Sequence, residues 1–190
     1  RQRHGLFDHR AIVRTAARLK QAEIAVAHDG AGDDHERAAL LAARQDVRAR
    51  IAARATSADG SIAAVMQAHL ALIDDPELLA GAEHRIAAGR SAGFAWRGAI
   101  HDQIDAIRAT GNAHLIERID DLIDIERQLL SVLTGTPLDG GAVATGAIVV
   151  TEDLLPSQLV LLAAMKPAGI CLTRGGPTSH VAILCAGMGL

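Results

Sequence analysis

The sequence has few aromatic residues and few cysteines, and both shortages exclude classes of function. Two Phe, one Trp and no Tyr among 190 residues leave little that could stack on nucleic-acid bases, and a net charge of −3 implies no basic face. We therefore expect no nucleic-acid partner. Cys171 and Cys185 are the only cysteines. Two isolated thiols give neither a disulfide framework nor a zinc pattern, and they are typical of a reducing cytoplasm.

The sequence also lacks a long apolar run. No stretch approaches the roughly 20 residues that a membrane-spanning helix needs, and no signal peptide opens the chain. We expect no membrane insertion and a cytoplasmic location. What is present, 49% hydrophobic and 22% charged residues, is the usual composition of a globular protein with a buried core.

The chain changes character near Gly135. Most of its 38 alanines come before this point, where their high helix propensity acts over long windows. Apolar residues recur at helical spacing in 35–55, 62–73, 77–88, 91–110 and 113–133. Because the connections between these segments are short, they predict a bundle of four to five antiparallel helices.

After Gly135 the pattern becomes that of an α/β unit. The predicted elements are a strand at 142–150, a helix beginning at Pro156, a short buried strand at 169–172, a glycine-rich turn, and a helix after it. Residues 11–27 predict one or two further strands of the same unit, including a strand at 23–27. The predicted fold class is therefore α+β or α/β, with a helical bundle inserted into an α/β subdomain.

These patterns predict a division of the chain. Residues 1–10 are expected to be a linker or tail. Residues 11–30 and 136–190 are expected to form a discontinuous α/β subdomain that stops at Leu190 before its natural end, and 31–135 the helical subdomain.

The segment that carries chemistry is GGPTSH at 175–180. Its two glycines let backbone N–H groups approach an anion closely, and Pro177 favours a helix start. His180 would then lie in a first helical turn, where free N–H groups and the helix dipole favour phosphate and a neutral imidazole. Thr178 and Ser179 add hydroxyl donors. On these residues alone, a surface histidine after a turn remains the alternative.

The segment GGPTSHVAILCAGMGL at 175–190 resembles the phosphohistidine signature of the phosphoenolpyruvate-utilising enzymes, in which Gly-Gly-x-Thr-Ser-His precedes small and aliphatic residues. The histidine of that family accepts the phosphoryl group, so the resemblance implies His180 as the catalytic nucleophile. It implies supporting roles at the phosphate for Arg174, Gly175, Gly176, Thr178 and Ser179.

Two helical segments, MQAHLALIDDPELL at 66–79 and ERIDDLIDIERQLLSVLTG at 117–135, resemble enzyme I of the sugar phosphotransferase system, which also occurs fused in multiphosphoryl transfer proteins. The resemblance implies a swivelling phosphohistidine subdomain and a phosphoryl relay in sugar uptake. Phosphate would pass from phosphoenolpyruvate to His180, and from there to the histidine of the phosphocarrier HPr or an HPr-like domain.

The same resemblance implies that the helical subdomain docks HPr through Gln67, Ala71, Leu72, Leu78 and Arg118. The alternative for Ala71, Leu72 and Leu78 is a place in the bundle core. In such enzymes the phosphoenolpyruvate-binding barrel and its Mg²⁺ lie further along the chain. We therefore expect that barrel as a partner, no cofactor or metal within these 190 residues, and phosphate exchange with HPr without direct use of phosphoenolpyruvate.

Some residues depart from the family pattern. Val181 follows the histidine where Thr or Ala is common, Ala186 replaces a frequent Arg, and Thr173 replaces a frequent Asp. Two alternatives stay open. One is the swivelling phosphohistidine domain of a phosphoenolpyruvate synthase or pyruvate phosphate dikinase, which would not bind HPr. The other is a non-catalytic helical interaction module.

Polar residues in the helical segments have less definite interpretations. His69 is expected to be structural. Arg118 either faces the active histidine or HPr, or pairs with Asp121 or Glu117. The acidic residues of the last helix are expected to form a solvated face rather than a metal site; they are Asp120, Asp121, Asp124 and Glu126.

Overall fold

The computed structural model describes residues 16–19, 23–56, 60–116, 118–138, 143–152, 154–174 and 180–187, with the backbone alone for residues 18, 61, 180, 183, 184 and 187. Within these ranges, no helix is both long enough and apolar enough to cross a bilayer.

The predicted helices are confirmed, and the sequence places glycine or proline at several of their boundaries. They are α1 (Asp33–Thr56), α2 (Gly60–Ile73), α3 (Pro76–Ala87), α4 (Ala92–Thr110), α5 (Ala113–Ile116) and α6 (Ile119–Thr134). The sequence predicts a single helix at 113–133, but the structure has two helices there, α5 and α6. The chain turns between them, with the Arg118 N–H donating to Leu115 O at 3.0 Å and the Leu122 N–H donating to Arg118 O at 3.2 Å.

Local capping explains several of these boundaries. Asp75 Oδ1 accepts hydrogen bonds from the N–H groups of Glu77 at 2.8 Å and Leu78 at 3.3 Å, with Pro76 at the first helical position of α3. At the other end of a helix, Gly135 adopts a φ of 67° and terminates α6 in the left-handed conformation.

The rest of the described chain is an α/β unit. Its strands are β1 (Ala16–Arg18), β2 (Ile148–Thr151) and β3 (Gly169–Leu172), and its helices are α7 (Pro156–Met165) and α8 (His180–Gly187). The three strands are parallel in the order β1-β2-β3, with Val149 opposite both Ala17 and Ile170. The expectation that the N-terminal segment adds a strand to the later sheet is confirmed, although β2 begins at Ile148 rather than at 142.

Two hydrophobic cores lie side by side. The bundle core surrounds Trp96 and is built from α1 to α4 and α6. The sheet core consists of Leu19, Val143, Ala147, Val149, Leu154, Leu159, Leu162, Val181 and Cys185. Val65 of α2 packs against both cores, and Val160 of α7 packs against the bundle core. Helix α7 therefore lies between the sheet and the bundle.

The strand predicted at 23–27 is wrong. These residues form no strand; instead Ile24 is 3% exposed and packs in the bundle core. Their carbonyl groups find side-chain donors: Arg97 Nη2 donates to Ile24 O at 2.7 Å, and Ser91 Oγ donates to Ala27 O. Bundle side chains thus replace the strand partner that the alternating pattern suggested.

Leu78 requires a second correction. The resemblance places Leu78 in the HPr-docking surface, but its side chain is 2% exposed and belongs to the bundle core. The Asp75 cap starts α3 in a register that places Leu78, Ala82 and Ile86 on one buried stripe. Leu78 therefore supports the bundle and presents no surface to a partner.

Candidate functional site

The candidate site follows β3, at the carboxyl edge of the parallel sheet. The N–H of Thr173 donates to Thr151 O at 2.9 Å and that of Arg174 donates to Glu152 O at 3.1 Å, so pairing with the β2 segment continues past Leu172. Helix α8 then begins at His180. Ligands of open α/β sheets bind at this edge, and helix N-termini there favour anions. The helix predicted after the glycine-rich segment is confirmed.

Helix α8 packs against the sheet core through two of its side chains. Val181 and Cys185, one helical turn apart, are 4% and 8% exposed and both pack in the sheet core. Burial raises the pKa of the Cys185 thiol above its ordinary value. This stripe packs α8 in the sheet core, and His180 is the residue immediately before it.

Most of the predicted phosphate contacts cannot be placed on this framework. Gly175, Gly176, Thr178, Ser179 and the His180 side chain lie outside the described residues, and their roles stay predictions. Arg174 is described: its side chain is 77% exposed, and its Nε atom lies 3.9 Å from Glu152 Oε2. An exposed pair at this distance is weak, which leaves the guanidinium free to turn toward an anion.

The residues predicted to bind a partner divide between surface and core. Gln67 and Ala71, one turn apart on α2, are exposed, and Leu72 is half-buried. Arg118 is exposed immediately before α6. It forms no ion pair with Asp121, and Glu117 lies outside the described residues. Only Leu78 is excluded from a surface role.

His69 is fully buried and joins α2 to α6. Its Nε2 atom lies 3.2 Å from Asp121 Oδ1 and 4.0 Å from Asp124 Oδ2, while its Nδ1 atom has no hydrogen-bond partner within the described residues. This contact brings the middle of α2 to the start of α6. Gln67 and Ala71, two residues before and after His69, are exposed on α2.

The expected solvated acidic face is wrong for two of its members. Asp124 is 1% exposed and accepts hydrogen bonds from Ser157 of α7. Glu126 is 7% exposed; its Oε1 accepts from Arg97 Nε at 2.9 Å, and its Oε2 lies 3.2 Å from His101 Nε2. Both carboxylates are paired, as buried charges must be. Sequence reasoning missed Asp124, because its partner Ser157 lies 33 positions further along the chain.

No cluster of three or more His, Cys, Asp or Glu side chains with metal-binding geometry occurs among the residues that the structure describes. The expectation that this segment needs no metal or cofactor of its own stays a prediction.

Family models match most of the chain. Residues 9–118 match the PEP-utilising enzyme N-terminal family, and residues 143–190 match the PEP-utilising enzyme mobile domain. The chain belongs to the PEP-utilising enzymes, and the resemblance identified from the sequence is confirmed.

Curated relatives agree with this assignment. The chain is 32% identical over 161 residues to a phosphoenolpyruvate-protein phosphotransferase of Streptomyces coelicolor, covering 83% of this chain and 28% of the relative. It is 36% identical over 130 residues to a multiphosphoryl transfer protein of Rhodobacter capsulatus, covering 64% and 15%. A third relative is the phosphoryl donor subunit of the PEP-dependent dihydroxyacetone kinase of Escherichia coli, 30% identical over 130 residues and covering 68% and 28%. The chain spans at most 28% of the length of these relatives.

Solved structures show the fold. An enzyme I structure determined in solution by NMR matches with a TM-score of 0.71 at 23% identity, covering 93% of this chain and 75% of that chain. The N-terminal domain of the nitrogen enzyme I matches with a TM-score of 0.65 at 20% identity, covering 93% and 75%. The helix-rich α/β fold is that of an enzyme I N-terminal domain.

Proposed function

We propose that this chain is the N-terminal phosphoryl-relay part of a phosphoenolpyruvate-protein phosphotransferase. It accepts a phosphoryl group on His180 and transfers it to the histidine of HPr or of an HPr-like domain. What supports the proposal is that α8, whose first residue is His180, follows the parallel strands β2 and β3 in a chain of this family.

The chemistry is an exchange of one P–N bond for another. A neutral His180 imidazole nitrogen attacks phosphorus in line, the new N–P bond forms, and the N–P bond to the HPr histidine breaks; the reverse step returns the group. Because the same bond type forms and breaks, little driving force is needed, and catalysis comes from positioning and from N–H donors at the helix start. Arg174, Gly175, Gly176, Thr178 and Ser179 hold the phosphoryl oxygens.

As the family resemblance implies, the first donor is phosphoenolpyruvate, which a C-terminal barrel of the full-length protein would bind with Mg²⁺. We propose that this barrel is the second partner of the chain. The 190 residues alone exchange phosphate with HPr and do not use phosphoenolpyruvate.

We place the HPr-docking surface on α2 and at the start of α6, within a helical subdomain at 31–135. Gln67, Ala71 and Leu72 contribute one side and Arg118 the other, and the His69–Asp121 contact holds the two sides together. The α/β subdomain at 11–30 and 136–190 carries the phosphate.

Phosphate transfer tests the nucleophile. Incubation with HPr phosphorylated on its histidine is expected to leave acid-labile phosphate on the wild-type chain and none on His180→Ala. His35→Ala, which changes an exposed histidine of α1, is the matched control and is expected to accept phosphate normally. Acid-labile phosphate retained by His180→Ala would refute the assignment of the nucleophile. A wild-type chain that binds HPr without accepting phosphate would support the non-catalytic module.

HPr titration followed by NMR tests the docking surface. Amide shifts are expected to concentrate in α2 and at the start of α6, and Ala71→Arg is expected to weaken HPr binding. Ala38→Arg, an exposed alanine of α1, is the control and is expected to leave binding unchanged. Shifts confined to 138–190 would contradict this surface. Absence of any binding would favour the swivelling domain of a synthase or dikinase.

A further inference from the structure

Asp124 of α6 is a buried carboxylate that contacts the α/β unit directly. Its Oδ2 atom accepts a 2.6 Å hydrogen bond from the Ser157 N–H, and its Oδ1 atom accepts a 2.6 Å hydrogen bond from Ser157 Oγ. Gln128 Nε2 donates to the same Oδ1 at 3.1 Å. With 1% of Asp124 exposed, all three hydrogen bonds are shielded from water.

Asp124 supplies an N-terminal cap for α7 in addition to the one within the helix, where Gln158 Oε1 accepts from the Leu155 N–H at 2.9 Å. The N-cap residue of α7 is Leu155, whose side chain accepts no hydrogen bond, so the first N–H groups of the helix need an acceptor from elsewhere. The Asp124 carboxylate provides it and also places a negative charge at the positive end of the helix dipole. The start of α7 is therefore held by the bundle, through Asp124, as well as by its own Gln158.

Asp124 also lies close to His69 of α2. His69 Nε2 lies 4.0 Å from Asp124 Oδ2 and 3.2 Å from Asp121 Oδ1. The helix that carries the proposed docking residues is thus connected through His69 and Asp124 to the first turn of α7.

Helices α7 and α8 contribute side chains to the same hydrophobic core. Leu159 and Leu162 of α7 share the sheet core with Val181 and Cys185 of α8. Closely packed side chains transmit displacement, because a core at native density has no space to absorb it. Where Asp124 holds Ser157 therefore determines where α8, and the His180 backbone, lie relative to the bundle.

We propose that Asp124 is a positioning residue for phosphoryl transfer. It holds α7 so that His180 lies at the correct distance from a partner docked on the bundle. This inference rests on the proposed function. It predicts that loosening the contact slows transfer within the complex and leaves partner binding unchanged.

The test separates binding from transfer. The dissociation constant for HPr and the single-turnover transfer rate from phosphorylated HPr are measured for Asp124→Ala, Asp124→Asn and the control Asp105→Asn, whose carboxylate on α4 is 76% exposed. Asp124→Ala is expected to slow transfer about ten- to a hundredfold, the loss that a misplacement of about 1 Å can cause, with the dissociation constant unchanged. Asp124→Asn is expected to lose less, because its amide oxygen still accepts from the Ser157 N–H.

Ser157 provides an independent check. Ser157→Ala keeps the backbone N–H and is expected to slow transfer by less than Asp124→Ala. Ser157→Ala added to Asp124→Ala is expected to cause no further loss, because the two side chains act through one contact. Amide exchange at Ser157 and along the first turn of α7 is expected to accelerate in Asp124→Ala while that of α6 stays slow.

The outcomes distinguish this inference from the function it rests on. A wild-type chain that takes no phosphate from HPr would overturn the proposed function. A wild-type chain that transfers normally, with Asp124→Ala and Asp124→Asn both equal to Asp105→Asn, would overturn the positioning role alone. If Asp124→Ala fails to fold, Asp124→Asn and Ser157→Ala carry the comparison, and a loss of HPr binding in these two variants would contradict the proposal.

Discussion

The carboxylate of Glu36, in the first turn of α1, closes the N-terminus of α4: its Oε2 atom accepts a 2.7 Å hydrogen bond from the N–H of Ala92. The Oε1 atom of the same side chain accepts from the N–H of Ala31 at 2.8 Å. One carboxylate thus satisfies donors from the segment before α1 and from the first residue of α4. Ser91 supplies the usual N-cap beside it, accepting from the Phe94 N–H at 3.1 Å.

We expect Glu36→Ala to lower the free energy of unfolding by about 1–2 kcal/mol, because two backbone donors lose their acceptor. Urea unfolding followed by circular dichroism measures the change. The matched control is Glu83→Ala, whose carboxylate is 56% exposed and lies 3.6 Å from Arg37 Nη1. That variant is expected to change stability by less than about 0.5 kcal/mol. Equal losses in the two variants would show that Glu36 does not cap α4.

Trp96 gives a second prediction, because its indole is fully buried in the bundle core while its Nε1–H has no acceptor among the described residues. Trp96→Phe removes the unpaired N–H together with part of the ring, so its cost is expected to be only about 1 kcal/mol. Trp96→Ala leaves a large cavity and is expected to cost about 3–5 kcal/mol. Urea unfolding compares the two; a Phe variant as unstable as the Ala variant would show that the volume of the cavity does not determine the cost.

Regular features of the fold could be predicted from the sequence because their signals are local. Apolar spacing identified the bundle helices, Asp75-Pro76 marked the start of α3, and Gly135 marked the end of α6. The switch to strand, helix and strand after Gly135 identified the α/β unit. The motif at 175–180 identified His180 as the candidate nucleophile, a role that stays a prediction.

Features that depend on distant partners could not be predicted. Residues 23–27 alternate like a strand, but their carbonyl groups are satisfied by the side chains of Arg97 and Ser91, more than sixty positions away. Asp124 is a charged residue of the kind expected at the surface. It is buried as a cap of α7 because it accepts hydrogen bonds from Ser157, which lies 33 positions further along the chain. A pattern within one helix carries no information about such a partner.

Asp74 gives a pH-dependent prediction. A hydrogen bond from Arg48 Nε at 2.8 Å and another from Arg44 Nη2 at 3.0 Å hold the pKa of its carboxyl below the ordinary value, although partial burial opposes this. A carboxyl whose pKa is lower in the folded state stabilises the fold above its unfolded pKa of about 4, and this contribution disappears as the pH falls through the folded pKa.

We therefore expect Asp74→Asn to be less stable than the wild type near neutral pH, by about 0.5–1 kcal/mol because the pair is partly solvent-exposed. The difference is expected to shrink as the pH falls below about 4. Urea midpoints measured across this range give the result, with Asp105→Asn as the exposed control. A difference that stays constant with pH would show that the ion pairs of Asp74 do not contribute through its charge.

The two cysteines give the last prediction, because they lie on the same α/β unit with opposite exposure. Cys171 on β3 is exposed, whereas Cys185 on α8 is 8% exposed and burial raises the pKa of its thiol. Alkylation requires an accessible thiolate, so iodoacetamide is expected to modify Cys171 first and Cys185 only as α8 detaches from the sheet core. Intact-mass analysis of a time course at about pH 8 is expected to show one fast and one slow addition. Cys171→Ser should abolish the fast addition and Cys185→Ser the slow one; a fast addition that is lost in Cys185→Ser would mean that Val181 and Cys185 do not hold α8 against the sheet.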